Sequence, residues 1–264
     1  MQGNPLKDRL RSGDPTFVFS VRMARTVNIV SLASAVGYHG LYVDLQHSSI
    51  SIDCCAQICQ AALLSDVTAF VRPPSLEAGL IARVLDAGAQ GILAPDIRSA
   101  ADARALVKAA LIAPKGDRSV GGGIPNPRFK DVAADRLAER INAATLLIAM
   151  VESPDAVEAA AEIAAVDGID AIQIGTNDLT TTMGIPGQYN HERVRNAYGR
   201  VIDGCRAAGK PLIVGGIRKK ELLEPYVRMG AARCYFTGAD SVFMLEGARA
   251  FLAEAKAADA AMAG

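Results

Sequence analysis

The chain has 264 residues, with 28 basic and 28 acidic side chains, and half of its residues are apolar. A net charge of zero and a pI near 6.8 provide none of the basic surface that binding to nucleic acid requires, so we expect no nucleic-acid partner. No apolar segment reaches about 18 residues, and the polar start MQGNPLKDRLRSGDP lacks a signal-peptide core, so we expect a cytoplasmic protein with no membrane partner.

Short apolar or β-branched segments alternate with longer Ala- and Leu-rich segments of helical period along the whole chain. The predicted strands are 17–21, 40–45, 68–72, 91–95, 145–152, 171–175, 211–216 and 233–237. The predicted helices lie near 24–36, 50–63, 76–87, 98–112, 155–165, 191–208, 218–229 and 241–258. Strand–helix units repeated in this way predict an α/β fold, a parallel (β/α)8 TIM barrel that forms one domain over residues 1–264.

An open, doubly wound sheet is the alternative fold. It more often has a glycine-rich turn after the first strand, and FVFSVRMARTV has no glycine there. The segment 114–140 breaks the alternation, because KGDRSVGGGIPNPRFKD is rich in Gly, Pro and charge. We predict that it forms a long loop on the active-site side of the barrel, with a short helix near 132–143.

The five cysteines show neither the pattern of a disulfide framework nor the paired CxxC spacing of a zinc site. We expect free, buried thiols, because free cysteine packs as a small apolar side chain. This expectation fits a reducing compartment such as the cytoplasm.

Polar side chains at the carboxyl ends of the predicted strands are the candidate site, because the active site of a TIM barrel lies there. Asp44 lies at the end of the second strand and His47 follows it, Arg72 ends the third, Glu152 ends the fifth and Asp178 follows the sixth. Any one of them is also explained as a helix cap, a turn residue or a surface charge. Glu152 is the hardest to explain in that way, since it directly follows the buried-type segment IAMV.

The residue types suit two kinds of chemistry. Glu152 and Asp178 can form half of the ligand shell of a hard divalent cation, or a general acid/base pair for glycoside hydrolysis. The absence of Trp disfavours a sugar-binding cleft. A neutral imidazole such as that of His47 can transfer protons near pH 7, and Arg72 can hold a carboxylate or an enolate oxygen.

Several strings, in this order, carry a family resemblance: GYHGLYVDLQHSSIS, VRPPS, VLDAGAQGILAPDIRSAADARALV, IAMVESPDAVEAAAEIAAVDGIDAIQIGTNDLTTTMGIPG and GKPLIVGG. Together they resemble the HpcH/HpaI family of class II pyruvate aldolases, of the hydroxyheptenedioate and dehydrodeoxyglucarate aldolase type. The resemblance covers roughly residues 5–255.

The resemblance implies a TIM barrel that reversibly cleaves a 4-hydroxy-2-oxoacid to pyruvate, or a close 2-oxoacid, and an aldehyde. It implies a divalent cation, Mg²⁺ or Mn²⁺ first, with Co²⁺ or Zn²⁺ as alternatives. It also implies a homo-oligomer, a hexamer built as a trimer of dimers, in which the helix near 241–258 is exchanged between subunits.

The resemblance also assigns roles to individual residues. It implies that Glu152 and Asp178 are metal ligands and that Asp44 is an acidic group beside the metal waters. It implies that His47 is the base, that Asp86 orients His47 and that Arg72 stabilises the enolate. The backbone N–H groups of Thr176 and Asn177 are implied to donate to the pyruvate carboxylate. A Schiff-base mechanism is disfavoured, because no predicted strand ends in lysine.

Two positions depart from the family pattern. Met150 stands where many members have Gln, two residues before the metal-binding glutamate and so on the same face of the strand. The usual Gly-Pro-x-Asp turn is Gly175-Thr176-Asn177-Asp178 here, so we expect the Thr176 and Asn177 side chains to touch the ligand. These changes predict a shifted acceptor preference rather than lost activity.

Other functions remain open at this point. A CoA-thioester lyase or an oxaloacetate decarboxylase would use the same metal-stabilised enolate, although no basic site for the CoA phosphates is evident in the sequence. A catalytically silent barrel acting as a binding module is the non-enzymatic alternative. It is disfavoured because residues competent for the chemistry occupy every implied polar position.

Overall fold

A computed structural model describes residues 3–121, 125 and 132–263. The strands are β1 (Thr16–Val21), β2 (Gly40–Asp44), β3 (Thr68–Arg72), β4 (Gly91–Ala94), β5 (Leu146–Val151), β6 (Ala171–Gly175), β7 (Leu212–Gly215) and β8 (Cys234–Ala239). The helices are α1 (Pro5–Ser12), α2 (Asn28–Val36), α3 (Ile52–Ala62), α4 (Ala78–Asp86), α5 (Ala100–Ala110), α6 (Ala134–Ala144), α7 (Pro154–Glu158), α8 (Ala160–Ala165), α9 (Thr176–Thr182), α10 (Glu192–Ala207), α11 (Lys220–Met229) and α12 (Asp240–Ala263).

The eight strands form one parallel sheet in the order β7-β6-β5-β4-β3-β2-β1-β8, and β7 also contacts β8. The sheet therefore curls into a nearly closed barrel surrounded by helices. The predicted (β/α)8 TIM barrel is confirmed, and the open doubly wound alternative is wrong.

The strands are buried on both faces, which explains their nearly continuous apolar sequences. In β2, for example, Leu41 and Val43 pack outward against the helices, whereas Tyr42 points into the barrel with Phe70 of β3. The period of two along each strand thus divides the core into a barrel interior and an outer layer.

Helix α1 closes the amino end of the barrel, and the sequence reading missed it. Leu6 and Leu10 join the interior cluster, and the Asn4 side chain caps the helix while donating to carbonyl oxygens before β4 and β5. The Lys7 ammonium donates to the carbonyl before β5 and pairs with Asp170 at 3.0 Å. The signal was present, since Asn followed by Pro and then Leu at i and i+4 is typical of a short amphipathic helix.

The segment 114–140 is placed differently from our prediction. It leads from α5 to α6 and β5, so its ends lie at the amino end of the barrel, where α1 also packs. The backbones of Ile112 and Arg118 form an isolated parallel β-bridge. The Lys115 ammonium lies 4.0 Å from the carboxylate of Asp167, which precedes β6. The expectation of an active-site-side loop is therefore wrong for 114–121 and 132–140, whereas 122–124 and 126–131 lie outside the described residues.

The longest helix is α12, with 24 residues. Its apolar side chains Met244, Phe251 and Met262 are 62%, 74% and 79% exposed. No helix within the described residues is both long enough and apolar enough to cross a membrane.

Two further differences from the prediction concern helices. The predicted helix 155–165 is split into α7 and α8, and α9 was not predicted as a helix. All five cysteines are buried and free, as expected.

Candidate active site

A cavity of about 190 Å³ opens at the carboxyl ends of the strands. The predicted residues that line it are Arg72, Met150, Glu152, Thr176, Asn177 and Asp178. Side chains from β3, β5, β6 and α9 therefore converge, as the TIM-barrel topology requires. The cavity is also lined by residues that the sequence reading did not select: Ser20, Arg22, Tyr42, Gln173, Arg218 and Phe236.

Glu152 lies at the end of β5, where one of its oxygens accepts a hydrogen bond from the Asp96 backbone N–H at 2.8 Å. Burial and the negative charge of Asp178 raise the pKa of Glu152 to about 7, although the Asp96 N–H and the positive charge of Arg72 act to lower it. Asp96 has a φ of 53°, a left-handed conformation that is costly for a non-glycine residue. This strained loop residue thereby fixes the orientation of the Glu152 carboxylate.

The donor set fits a divalent cation. Glu152 and Asp178 are two carboxylates that line one cavity, close enough for the charge of Asp178 to raise the pKa of Glu152, and a cation bound by both would relieve that repulsion. A Cβ on Gly175 would lie 2.5 Å from a Glu152 oxygen, so this glycine provides the room that the carboxylate occupies. Within the described chain, no three His, Cys, Asp or Glu side chains converge on a metal site. A cation held here would take its remaining ligands from water and substrate.

Arg72 is held by Asp44 in a bidentate pair, with Nε–Oδ1 at 3.0 Å and Nη2–Oδ2 at 2.7 Å. The two residues are register partners at the ends of β2 and β3. Burial alone would raise the pKa of Asp44, but the hydrogen bonds and positive charges of Arg72 and Arg22 lower it below its usual value. The buried Asp44 also accepts the backbone N–H groups of Gln46 and His47. Its oxygens are thus occupied by protein donors, which differs from the expected place beside metal waters.

Arg22 follows β1 and donates from Nε to Asp44 at 2.9 Å. The loop that carries it is fixed by Asp240, the first residue of α12. The Asp240 carboxylate accepts the backbone N–H groups of Arg22, Met23 and Ala24 at 3.0, 2.9 and 2.7 Å. One side of the cavity mouth is therefore tied to the start of the carboxyl-terminal helix.

Helix α9 begins at Thr176, so the N–H groups of Thr176 and Asn177 have no acceptor within the helix and border the cavity. The Thr176 hydroxyl donates to the Gly215 carbonyl and accepts from Tyr198 at 2.6 Å, and the residue is fully buried. The Asn177 side-chain oxygen Oδ1 accepts a hydrogen bond from the Tyr189 hydroxyl at 2.7 Å. The Thr176 hydroxyl is therefore held by protein partners, so what Thr176 most readily offers the cavity is its backbone. Contact of the Thr176 and Asn177 side chains with a ligand stays a prediction.

Met150 lies on the cavity floor, one layer below Glu152. Its register partner across the β5–β6 ladder is Gln173, which is buried and also lines the cavity. A Cβ on Gly215 would lie 3.1 Å from the Gln173 side chain, so glycine at that position makes room for the amide. The floor thus has an amide on β6, beside the position on β5 where many family members carry one.

His47 and Asp86 are not among the cavity-lining residues. His47 is exposed in the turn after β2, on the same end of the barrel as the cavity. Asp86 ends α4, immediately before β4, so it lies at the amino end, where Arg118 approaches it at 3.5 Å. No hydrogen bond in the described part of the chain joins Asp86 to His47. The expected contact between them is not made within one chain, because the barrel separates the two residues.

Comparison with known proteins agrees with this geometry. Residues 22–246 match the HpcH/HpaI aldolase/citrate lyase family. The chain belongs to this family. Similar proteins include 4-hydroxy-4-methyl-2-oxoglutarate aldolase cghB of Chaetomium globosum, 39% identical over 207 residues and covering 77% of each chain. Another is 4-hydroxy-4-methyl-2-oxoglutarate aldolase tasA of Hapsidospora irregularis, 35% identical over 248 residues, which are 93% of this chain and 92% of that one.

The crystal structure of an HpcH/HpaI aldolase from Desulfitobacterium hafniense DCB-2 has a TM-score of 0.88 at 26% identity, covering 95% of this chain and 96% of that one. As a member of the HpcH/HpaI family, the protein is an enzyme, a carbon–carbon lyase, and the alternative of a silent binding module is wrong. Dependence on a divalent cation is general in the family.

In this HpcH/HpaI lyase, the site residues that sequence reasoning missed had weak signals. Asp96 and Arg22 follow strands β4 and β1 in the same way as the residues that were selected. Gln173 is the single amide in the apolar strand AIQIG. Arg218 is one of three consecutive basic residues in IRKK, so nothing in the sequence distinguishes it from a surface charge.

Proposed function

We propose that the enzyme cleaves a 4-hydroxy-2-oxoacid to pyruvate, or a close 2-oxoacid, and an aldehyde, using Mg²⁺ or Mn²⁺. The observation that carries the proposal is the convergence of Glu152, Asp178 and Arg72 beside the start of α9 in one cavity. Two carboxylates suit a hard cation, and a guanidinium next to them suits a substrate that develops negative charge.

In this proposal, Glu152 and Asp178 would hold the cation, which when bound would supply Lewis-acid polarisation of the substrate ketone and stabilise enolate charge. The backbone N–H groups of Thr176 and Asn177 receive the 2-oxoacid carboxylate. Arg72, immobilised by Asp44, donates to the ketone oxygen as it gains charge. The rigid bidentate pair keeps this guanidinium in place, so little reorganisation is needed during reaction.

His47, exposed in the turn after β2 at the same end of the barrel as the cavity, is proposed as the base. It removes the proton of the 4-hydroxyl group, directly or through water, and the C3–C4 bond breaks. The electron pair of that bond becomes the enolate of pyruvate, and C4 becomes the aldehyde carbon. C3 is then protonated by water or by the protonated His47, which returns the proton taken from the 4-hydroxyl group. The reverse sequence adds the pyruvate enolate to an aldehyde.

Exchange of the pyruvate C3 protons with deuterated water tests the proposal without knowledge of the aldehyde. NMR measures the exchange. We expect exchange in the presence of Mg²⁺ or Mn²⁺ and no exchange after the metal has been chelated. Absence of exchange with either cation would contradict the proposal and favour a thioester lyase or another 2-oxoacid donor.

We further propose a homo-oligomer, a hexamer assembled as a trimer of dimers, with α12 docked on a second copy. Residues 248–262 of α12 are exposed throughout, and isolated helices are marginal in water. At 3.6 residues per turn, Met244, Leu245, Phe251, Leu252 and Met262 share one side of the helix. Such an exposed apolar stripe indicates a protein contact.

A role for Asp86 toward His47 also requires a second copy, because the two residues lie at opposite ends of one barrel. The Asp86 carboxylate is partly exposed and anchored by the buried Arg118. It is therefore presented outward, where another subunit can meet it.

Phe251→Glu is expected to dissociate the assembly to smaller species, because a charge would have to be buried in the docked stripe. Ala257→Glu is the matched control, since Ala257 lies on the opposite side of α12 and is also exposed. Light scattering after gel filtration gives the mass of each variant. A monomeric wild type, or equal masses for the two variants, would contradict the proposed use of α12.

Met150→Gln is expected to retain metal-dependent cleavage but to change the relative kcat/KM among 4-hydroxy-2-oxoacids. The variant places a second amide beside Gln173 on the cavity floor, so it alters which substrate oxygens find a donor. Steady-state cleavage of a panel of hydroxy-oxoacids by wild type and variant measures the effect. Identical profiles would rule out a selective role for Met150.

A further inference from the structure

The proposed metal ligand Asp178 depends on its backbone for its position. It lies in the first turn of α9, which directly follows β6. The Thr182 hydroxyl donates to the Asp178 backbone carbonyl, whereas no hydrogen bond or ion pair in the described part of the chain holds the exposed Asp178 carboxylate. Contacts that fix the start of α9 therefore also determine where this carboxylate can meet a cation.

Two tyrosine hydroxyl groups hold the start of α9 through the side chains of Thr176 and Asn177. Tyr198 of α10 donates to Thr176 Oγ1 at 2.6 Å, and the Thr176 hydroxyl donates in turn to the Gly215 carbonyl at the end of β7. Tyr189, in the loop between α9 and α10, donates to Asn177 Oδ1 at 2.7 Å. Two successive residues at the start of α9 are thus anchored to different parts of the barrel.

A third tyrosine, Tyr226 of α11, joins the two anchors. Its ring stacks on that of Tyr198, with centroids 3.9 Å apart and planes inclined by 28°, and its hydroxyl donates to the Tyr189 backbone carbonyl. Burial raises the pKa of Tyr226 to about 12 and raises that of Tyr198 as well, so both hydroxyl groups stay protonated and can donate. Tyr189, Tyr198 and Tyr226, the tyrosine network, close a ring of contacts with Thr176 and Asn177.

We propose that the tyrosine network positions Asp178 for metal binding, because it holds the two residues that precede Asp178 in the chain. Neither Thr176 nor Asn177 restricts its own backbone as a proline would, so the start of α9 depends on such contacts for its shape. The three tyrosines are not among the described residues that line the cavity, so they act through this backbone rather than by touching substrate. This inference rests on the proposed function, in which Asp178 is a metal ligand.

Calorimetric titration of the metal-free protein with Mn²⁺ tests the inference. Tyr198→Phe and Tyr189→Phe each remove one donor and keep the ring, and each is expected to weaken Mn²⁺ binding by about 10-fold, the lower end of the range for groups that orient metal ligands. Thr176→Val should weaken it similarly, whereas Thr176→Ser should retain wild-type affinity because it keeps the hydroxyl group. Exchange of pyruvate protons by the two tyrosine variants should recover at saturating Mn²⁺, since the groups proposed to touch substrate are unchanged.

Tyr38→Phe is the matched control, because it also removes a hydrogen bond between a tyrosine and a threonine. The Tyr38 hydroxyl lies 2.7 Å from Thr237 Oγ1, joining the loop before β2 to β8, and neither element carries a proposed metal ligand. This variant should keep wild-type Mn²⁺ affinity. Unchanged affinity in Tyr198→Phe or Tyr189→Phe, or an equal loss in Tyr38→Phe, would overturn the inference. Wild type is titrated first, because failure to bind Mn²⁺ would overturn the proposed function itself, and the inference with it.

Discussion

Replacing Glu152 by alanine should reduce metal-dependent exchange of the pyruvate C3 protons by at least about 1,000-fold, since a Lewis-acid cation supplies several kcal/mol of charge stabilisation. Among the residues that the structure describes, two carboxylates line the cavity as candidate ligands, so losing one halves their share of the coordination shell. Affinity for Mn²⁺, measured by calorimetry, should fall together with the exchange rate. Glu152→Gln should behave similarly, because the amide preserves shape but not charge.

The control is Glu158→Gln, which removes an exposed carboxylate from the next helix and should leave exchange and metal affinity unchanged. Retained exchange in Glu152→Ala would refute Glu152 as a ligand.

Stability provides an independent measurement, because burial and Asp178 raise the pKa of Glu152 from 4.5 to about 7. In metal-free protein the folded state then binds more protons than the unfolded chain, so the free energy of unfolding should fall as the pH rises from 4.5 to about 7. Glu152→Gln should lack that decline in urea titrations.

Arg72→Met should have two large effects. Exchange of pyruvate protons should fall by about 100- to 1,000-fold, the range found when one donor to a developing oxyanion is removed. The free energy of unfolding should fall by about 3–5 kcal/mol, because the fully buried Asp44 loses its bidentate partner. Chemical denaturation measures the second effect separately from activity.

Arg72→Lys separates the two effects. It keeps a positive charge near Asp44, so it should recover part of the stability, whereas one ammonium group cannot both pair with Asp44 and donate to the substrate with the original geometry. The stability difference between wild type and Arg72→Met should narrow in acid. The pKa of Asp44 is lowered in the folded protein, so the contribution of the pair is present above the ordinary value of 3.8 and is lost as the pH falls below it. A normally stable Arg72→Met with wild-type exchange would refute both roles.

The sequence predicted the barrel because each strand is a short apolar segment buried on both faces, and this pattern is visible without tertiary information. It also selected Glu152, Arg72 and Asp178, since a polar residue at the end of such a segment stands out. The same reasoning overlooked Gln173, because an amide inside a strand departs only slightly from the apolar pattern. Its exposure to the cavity depends on Gly215 of the neighbouring strand.

Other features depend on tertiary structure and could not be read from the chain. The positive φ of Asp96 is imposed by contacts such as the hydrogen bond from Ile97 N–H to the Met150 carbonyl. The saturation of Asp44 by two arginines needs the register of β2 and β3 and the loop after β1. The separation of Asp86 from His47 follows from helix direction, which places the end of α4 at the amino end of the barrel.

The three hydrogen bonds from the loop after β1 to Asp240 have a consequence for the enzyme's concentration dependence. Asp240 is the first residue of α12, and Arg22 in that loop pairs with Asp44, which in turn holds Arg72. If docking of α12 on a second copy fixes its first turn, assembly and substrate binding share a free-energy coupling that is the same in both directions. Substrate would then tighten the assembly, and dilution would weaken substrate affinity before any unfolding occurs.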